Sequence, residues 1–208
     1  MTEPRFLIVN ADDLGLSAAV NEGVFAAHER GVVTSASLMV DRPAAVAAVE
    51  ALAEHPDLAV GLHLEPDDCW AQLERFRELA GRDPTHLDSH KYVHEAEPVR
   101  AVAETMAAEL GVPLRNRQIR YEGSFYGRTP DGEPAPETIS PEHLIELIRA
   151  LPPGWTEIGC HPAAGPVPTS SYDAERQVEL RTLSDPRVKN LLNVSDVRLC
   201  SFAQVPSD

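Results

Sequence analysis

Basic residues are scarce in this chain: 18 Lys and Arg stand against 33 Asp and Glu, a formal net charge of −15. A field of that sign repels phosphate backbones and anionic headgroups, so neither nucleic acid nor a membrane is an expected partner. Cysteine is scarcer still. Cys69, Cys160 and Cys200 lie far apart and in no CxxC pair, which argues against a disulfide framework and against a cysteine zinc site. Long apolar runs are missing near the start, where Phe6 to Val9 is too brief for a signal-peptide core or a membrane span. Neither GxGxxG nor a Walker pattern occurs, so nucleotide-dependent chemistry has no motif to rest on. These absences leave a cytoplasmic location as the expectation.

What the chain does contain is a recurring strand-and-helix pattern. Its 208 residues, 22.7 kDa and 43% hydrophobic content suit one globular domain over residues 1–208. Phe6 to Val9 reads as a strand buried on both faces that stops at the polar turn Asn10-Ala-Asp-Asp-Leu-Gly15. Ser17 then caps a helix whose Val20, Val24 and Ala27 share a face, and Gly31 closes it. The pattern predicts further strands at 32–40, 58–64, 85–90, 113–119, 156–160 and 197–202. Helices are predicted over 44–53, 67–80, 98–110, 141–151, 174–183 and 186–193. Residues 121–140, with three Pro and three Gly, read as a long loop of the kind that often carries function.

Strands alternating with helices call for a parallel sheet with right-handed crossovers. Asp12 and Asp13, His63, His90 and His161 all fall at the C-terminal ends of separate predicted strands, and such ends converge on one mouth only in a barrel. The chain is short for eight full units, so the expected fold is α/β, an incomplete TIM-like (β/α) barrel of about seven strands.

The polar residues at those ends carry the chemistry. Asp12 and Asp13 are adjacent carboxylates at the end of a buried strand, where they repel each other and lose solvation unless a cation or a proton lies between them. That favours a metal or acid–base role over a simple turn. His63 interrupts the apolar run Val60-Gly-Leu-His-Leu64; alone, such a residue is more often a hydrogen-bonded core histidine than a ligand. Its weight rises with Thr85-His-Leu-Asp-Ser-His-Lys-Tyr-Val-His94. A strand there would project His86, Asp88 and His90 to one face, whereas a helix would stack His86, His90 and His94. Two imidazoles and one carboxylate form a facial set that leaves positions open for water and substrate, with a further carboxylate to orient a ligating histidine. Hydrolysis is therefore the leading reaction class. His161, before Pro162, adds an imidazole suited to acid–base work. Cys160 beside it has no oxyanion-type glycine pattern and reads as buried and inert.

Taken together the motifs become specific. Leu7-Ile-Val-Asn-Ala-Asp-Asp-Leu-Gly-Leu-Ser17, Gly31-Val-Val-Thr-Ser-Ala-Ser-Leu-Met-Val40, Gly61-Leu-His-Leu64, Pro84-Thr-His-Leu-Asp-Ser-His-Lys91 and Cys160-His-Pro162 resemble, in order and over nearly the whole chain, the YdjC-like carbohydrate deacetylases. The resemblance implies a metal-dependent hydrolase that removes acetyl groups from N-acetylated sugars such as chitooligosaccharides, on an incomplete barrel similar to that of polysaccharide deacetylases. By matching motif it implies Asp13, His63 and His90 as ligands of one divalent metal ion, Asp12 as general base and His161 as general acid. Two histidines favour zinc, cobalt or nickel, while the family is commonly described with magnesium, so the expectation is a divalent ion of either class.

The sequence also departs from the family. Only 22 residues separate His63 from His86, where family members often carry a longer insertion, and Glu65-Pro-Asp-Asp-Cys-Trp70 replaces a more neutral continuation. Tyr92 stands where a histidine is frequent. A shortened wall implies a more open cleft. Tyr126 and Arg128, with Tyr121 and Phe125 on the 121–140 loop, offer a sugar-facing surface. The same ligands would serve a metal-dependent hydrolase of another small substrate, although no basic cluster favours phosphate esters; a non-catalytic sugar-binding relative would not need Asp12. Predicted outer helices with exposed apolar positions are compatible with a homodimer.

Overall fold

The computed structural model describes residues 3–206, so the two residues at either end of the expected 1–208 domain lie outside the description. Among the described residues the order is β1 (Arg5–Leu14), α1 (Ala18–Arg30), β2 (Ser35–Leu38), α2 (Ala45–Ala51), β3 (Ala59–Leu64), α3 (Cys69–Ala80) and β4 (Leu87–Ser89). There follow α4 (Val99–Leu110), β5 (Arg120–Glu122), α5 (Pro141–Ala150), β6 (Gly154–Cys160), α6 (Ala174–Leu183), α7 (Pro186–Val194) and β7 (Val197–Cys200). Local chemistry sets the helix ends. The Ser17 hydroxyl accepts from the Val20 N–H at the start of α1, the Asp68 carboxylate does the same for Trp70 and Ala71 at α3, and Gly81 and Gly111 close α3 and α4 in left-handed geometry.

Every strand pairing is parallel, in the order β4-β3-β2-β1-β6-β5. One edge of β1 pairs with β6 from Arg5 opposite Gly154 to Ala11 opposite Cys160. Its other edge is shared. β7 takes Arg5 to Ile8, and β2 takes Asn10 to Leu14. The sheet curls into a half-barrel, and isolated parallel bridges, Leu87 to Leu114 and Arg115 to Ile119, carry β4 toward the segment that leads into β5. The expected incomplete barrel of parallel strands is the observed fold.

Strand alternation sorts the side chains. Leu7, Val9 and Ala11 of β1 face outward into a core with Val20, Val24 and Ala27 of α1, while Ile8 faces inward onto Ile119 and Phe202. Above that apolar floor the next inward positions of β1 are polar, Asn10 and Asp12, and both are buried. The interior is thus apolar at the bottom and charged at the mouth. Among the described residues no helix is long and apolar enough to cross a membrane.

Several boundaries differ from the sequence reading. β1 does not stop at Val9 but continues through Leu14, because Asn10 and Asp12 find partners inside the barrel and the backbone ladder need not end. The fifth strand lies at Arg120–Glu122 rather than 113–119, since Asn116 adopts φ 59° and breaks the extended run, leaving Leu114 with one bridge. β2 is shorter than 32–40, the last strand ends at Cys200, and the 121–140 loop contains a 3-10 turn at Pro136–Ile139. Only Leu87–Ser89 of the 85–90 segment pairs as strand. His90–Glu95 is a 3-10 turn broken by left-handed Lys91 and Tyr92, so the alternative helix through His86, His90 and His94 does not form.

Candidate metal and acid–base centre

Adjacent strand residues point to opposite faces, so Asp12 and Asp13 share a site only if the strand is distorted between them and the next pair. It is. The register of β1 on β2 slips between Ala11 and Leu14, and Asp13 sits at φ 66°. A bulge with a left-handed residue re-aims the second carboxylate toward the barrel mouth, at a backbone cost of about 1–2 kcal/mol. Aspartate tolerates this conformation better than most residues.

Asp13 is the hub. Its Oδ1 lies 3.1 Å from His90 Nδ1 and 3.4 Å from His63 Nε2, while Oδ2 accepts from Arg176 Nη2 at 2.6 Å. Candidate ligand atoms of Asp13, His63 and His90 all lie within 4.8 Å of one another. His63, from β3, directs Nδ1 to Asp88 Oδ1 of the neighbouring β4 at 2.8 Å, which leaves Nε2 facing Asp13. A carboxylate on the far ring nitrogen fixes both tautomer and orientation of a ligating histidine. His90 arrives directly after β4, where the 3-10 turn begins.

Asp12 faces the same cavity from a second network. Arg115 grips it with a two-pronged fork, Nη1 to Oδ2 and Nη2 to Oδ1 at 2.7 Å each, and Asn10 donates to Oδ1 at 2.9 Å. The same guanidinium reaches Asp88 Oδ2 at 2.8 Å and Glu157 Oε1 at 2.6 Å, beneath the ring of Tyr121. Beyond it, the Ser37 hydroxyl donates to Asp88 Oδ2 at 2.7 Å and lies 3.0 Å from His86 Nε2. The His86 ring stacks on Phe202 at 3.8 Å and occupies the space a Cβ on Gly61 would need, 2.5 Å away. His161, just after β6, places Nε2 3.8 Å from Asp12 Oδ2. Glu179 of α6 accepts from the His161 backbone N–H and from the Tyr172 hydroxyl, and lies 3.9 Å from His161 Nδ1.

Burial and charge pull these groups apart in pKa. Burial opposes the charged form of His63, but the Asp88 charge and hydrogen bonds to Asp13 and Asp88 outweigh it and raise the imidazole to about 10. His86 is pushed the other way, to about 3, by burial that Asp88 only partly offsets. Burial likewise holds His161 down to about 4 against the attraction of Asp12 and Asp13. Asp13 stays well below the usual carboxylate range despite burial, because His63, His90 and Arg176 favour its anion. Burial raises Glu157 to about 7 and Glu179 to about 8. Among the described residues, five buried carboxylates, Asp12, Asp13, Asp88, Glu157 and Glu179, stand against two buried guanidiniums, Arg115 and Arg176. The three-charge deficit is met by protons, as on Glu157, Glu179 and His63, or by a cation that takes the place of the His63 proton. The donor set of Asp13, His63 and His90 therefore fits a divalent ion both in atom type and in charge.

A cleft of about 610 Å³ opens over this centre, lined among others by Asp12, Asp13, His63, His90, Tyr126 and His161. The remaining residues singled out from the sequence lie elsewhere. Asp88 is buried behind His63, and His86 lies deeper still, reaching the centre through Ser37. His94 is fully buried behind Ser89, its Nδ1 on the Ser89 hydroxyl, and does not line the cleft. Arg128, expected on a sugar-facing surface, pairs with Glu175 Oε1 at 2.8 Å and donates to the Ser171 carbonyl instead. Of that loop's aromatics, Tyr126 lines the cleft and Phe125 is buried. Cys160 is buried, and burial lifts its thiol well above the ordinary range, as expected of an inert residue.

Sequence reasoning passed over Arg115, Glu157, Arg176, Tyr172 and Glu179. Glu157 carried a signal: like His63, it is a polar residue inside an apolar strand. Arg115, Arg176 and Glu179 sit in segments where a charged side chain has an ordinary solvated reading, and Tyr172 lies in a polar stretch with no periodic signal.

The sequence model of the YdjC-like protein family matches residues 6–70 and 67–194. The chain belongs to the YdjC-like family. One relative, from Geobacillus stearothermophilus, is named a carbohydrate deacetylase and is 34% identical over 251 aligned residues, covering 97% of this chain and 98% of its own. That alignment is longer than the 208 residues here, so at least 43 aligned positions have no counterpart in this chain. Among solved structures, an Enterococcus faecalis protein put forward as a cellobiose-phosphate cleavage protein superimposes with a TM-score of 0.82 at 25% identity, covering 96% of this chain and 98% of its own. A family 4 carbohydrate esterase from Streptomyces lividans, in complex with acetate, shares the fold with a TM-score of 0.59 at 13% identity, covering 96% and 93%.

Proposed function

We propose that this cleft hydrolyses the acetamide of N-acetylated sugars, of the chitooligosaccharide or related N-acetylglucosamine type, with one divalent metal ion held by Asp13, His63 and His90. The observation that carries the reading is the convergence of those three ligand groups beside a second, separately clamped carboxylate, Asp12, at the floor of an open cleft. Relatives named carbohydrate deacetylases support the substrate class. When bound, such an ion supplies Lewis acidity toward water and a carbonyl.

The chain's own residues divide the remaining work. Asp12, aimed by the Arg115 fork and by Asn10, accepts the proton of the attacking water as its oxygen bonds to the acetyl carbon. The carbon–nitrogen bond then breaks, and His161 delivers a proton to the departing amine, so that acetate and an amino sugar leave. Because burial holds His161 neutral down to about pH 4, the proton it gives is one it acquires during turnover, and its Nε2 lies 3.8 Å from Asp12 Oδ2. Tyr126, 38% exposed and stacked on Tyr172 at 4.5 Å, presents an aromatic face to a pyranose ring.

The test is acetate release from a panel of N-acetylated mono- and disaccharides by chelator-stripped protein with single divalent ions added back. Asp12→Asn should retain metal and lose about 100-fold or more in kcat. Release at the parent rate from that variant would remove Asp12 as base. No release with any ion, despite stoichiometric metal binding, would remove the acetylated-sugar assignment.

A further inference from the structure

Arg176 is an arginine from the middle of the chemistry that the reaction scheme above leaves without work. Its side chain is 3% exposed. Nη2 lies 2.6 Å from Asp13 Oδ2 and 3.5 Å from the Ser170 hydroxyl, Nε donates to the Tyr172 carbonyl at 2.7 Å, and Nη1 is buried with no hydrogen-bond partner among the described residues. The guanidinium is therefore held in place by the 170–172 segment as well as by the carboxylate. Asp13 is thereby divided: one oxygen is committed to Arg176, and only Oδ1 faces His63 and His90.

We infer that Arg176 is a positioning residue that restricts Asp13 to one-oxygen ligation and draws charge from it, so that it weakens the hold on the divalent ion in exchange for a more acidic one. The inference rests on the ligand set proposed above. A full positive charge on the far oxygen of a ligand repels a cation on the near one, and in a buried site that repulsion is poorly screened. A ligand carboxylate with less negative charge to share leaves the ion a stronger Lewis acid toward a bound carbonyl. If Arg176 instead served only to fasten α6 to β1, its removal would loosen the site and weaken metal binding. The two roles predict opposite signs.

Zinc titration of metal-free protein by calorimetry separates them, with melting curves to confirm folding. Arg176→Met should bind zinc about tenfold more tightly than the parent and turn over acetylated sugar with a lower kcat. Arg176→Lys, which keeps the charge, should stay close to the parent affinity. Arg176→Gln, a second neutral variant for the case in which the methionine variant does not fold, should share its sign. Equal or weaker binding by a folded neutral variant, with the parent binding normally, overturns this inference alone. Zinc binding that His63→Ala leaves untouched overturns the ligand set, and the inference with it.

Discussion

Burial pushes the Glu179 carboxylate up to about 8 against the hydrogen bonds from the Tyr172 hydroxyl and the His161 backbone N–H and the charge of Arg176. It holds its proton in the folded protein over a range in which the unfolded chain, at an ordinary 4.5, has released it. The folded state then binds more protons than the unfolded one, so this group's contribution to stability falls as pH rises from about 4.5 through about 8. Glu179→Gln should remove that decline. Denaturant unfolding should show the variant gaining on the parent between about pH 5 and about pH 9, and a constant difference across that range would refute the shift. His63 illustrates how a single residue was legible without its role being so. Its place inside an apolar strand marked it, but whether it ligates or merely satisfies the core depended on which groups stood opposite, and Asp88 and Asp13 come from other strands.

At the scale of elements, α1 holds the loop that carries His161. Gly23 lies against that loop so closely that a Cβ would come within 2.4 Å of Ala163 Cα, and the Ala164 N–H donates to the Ala19 carbonyl at 2.8 Å. The helix can approach only because Gly23 has no side chain. Gly23→Ala should force backbone apart, cost about 1–3 kcal/mol of stability, and lower turnover by moving His161. A melting temperature and kcat equal to the parent's would show that the loop yields freely. The helices were readable from local chemistry, and so was the cap at Ser17, because a cap involves residues only two or three apart. The bulge that brings Asp13 to the mouth was not, since it arises from the slip of β1 against β2 and no residue in Asn10 to Gly15 demands it.

The whole molecule is closed from below by its C-terminal segment. β7 docks on β1, the Phe202 N–H donates to the Ser35 hydroxyl at 3.1 Å, and the Phe202 ring stacks beneath His86 while packing on Ile8 and Ile119. Phe202→Ala should therefore cost about 3–5 kcal/mol, read as a drop in thermal midpoint, although the residue lies outside the cleft. An unchanged midpoint would mean that the barrel floor stands without it. The alternation of strands with helices and the polar residues at the strand ends were properties of the sequence alone, because hydrophobic period and turn chemistry act over a few neighbouring residues. They determined a parallel barrel with its polar groups at one mouth. Which charges pair inside that mouth was decided only by the tertiary structure. Arg115 meets Asp12 across 103 positions of chain and Arg176 meets Asp13 across 163, and no local pattern encodes a buried charge whose partner is chosen by curling the sheet.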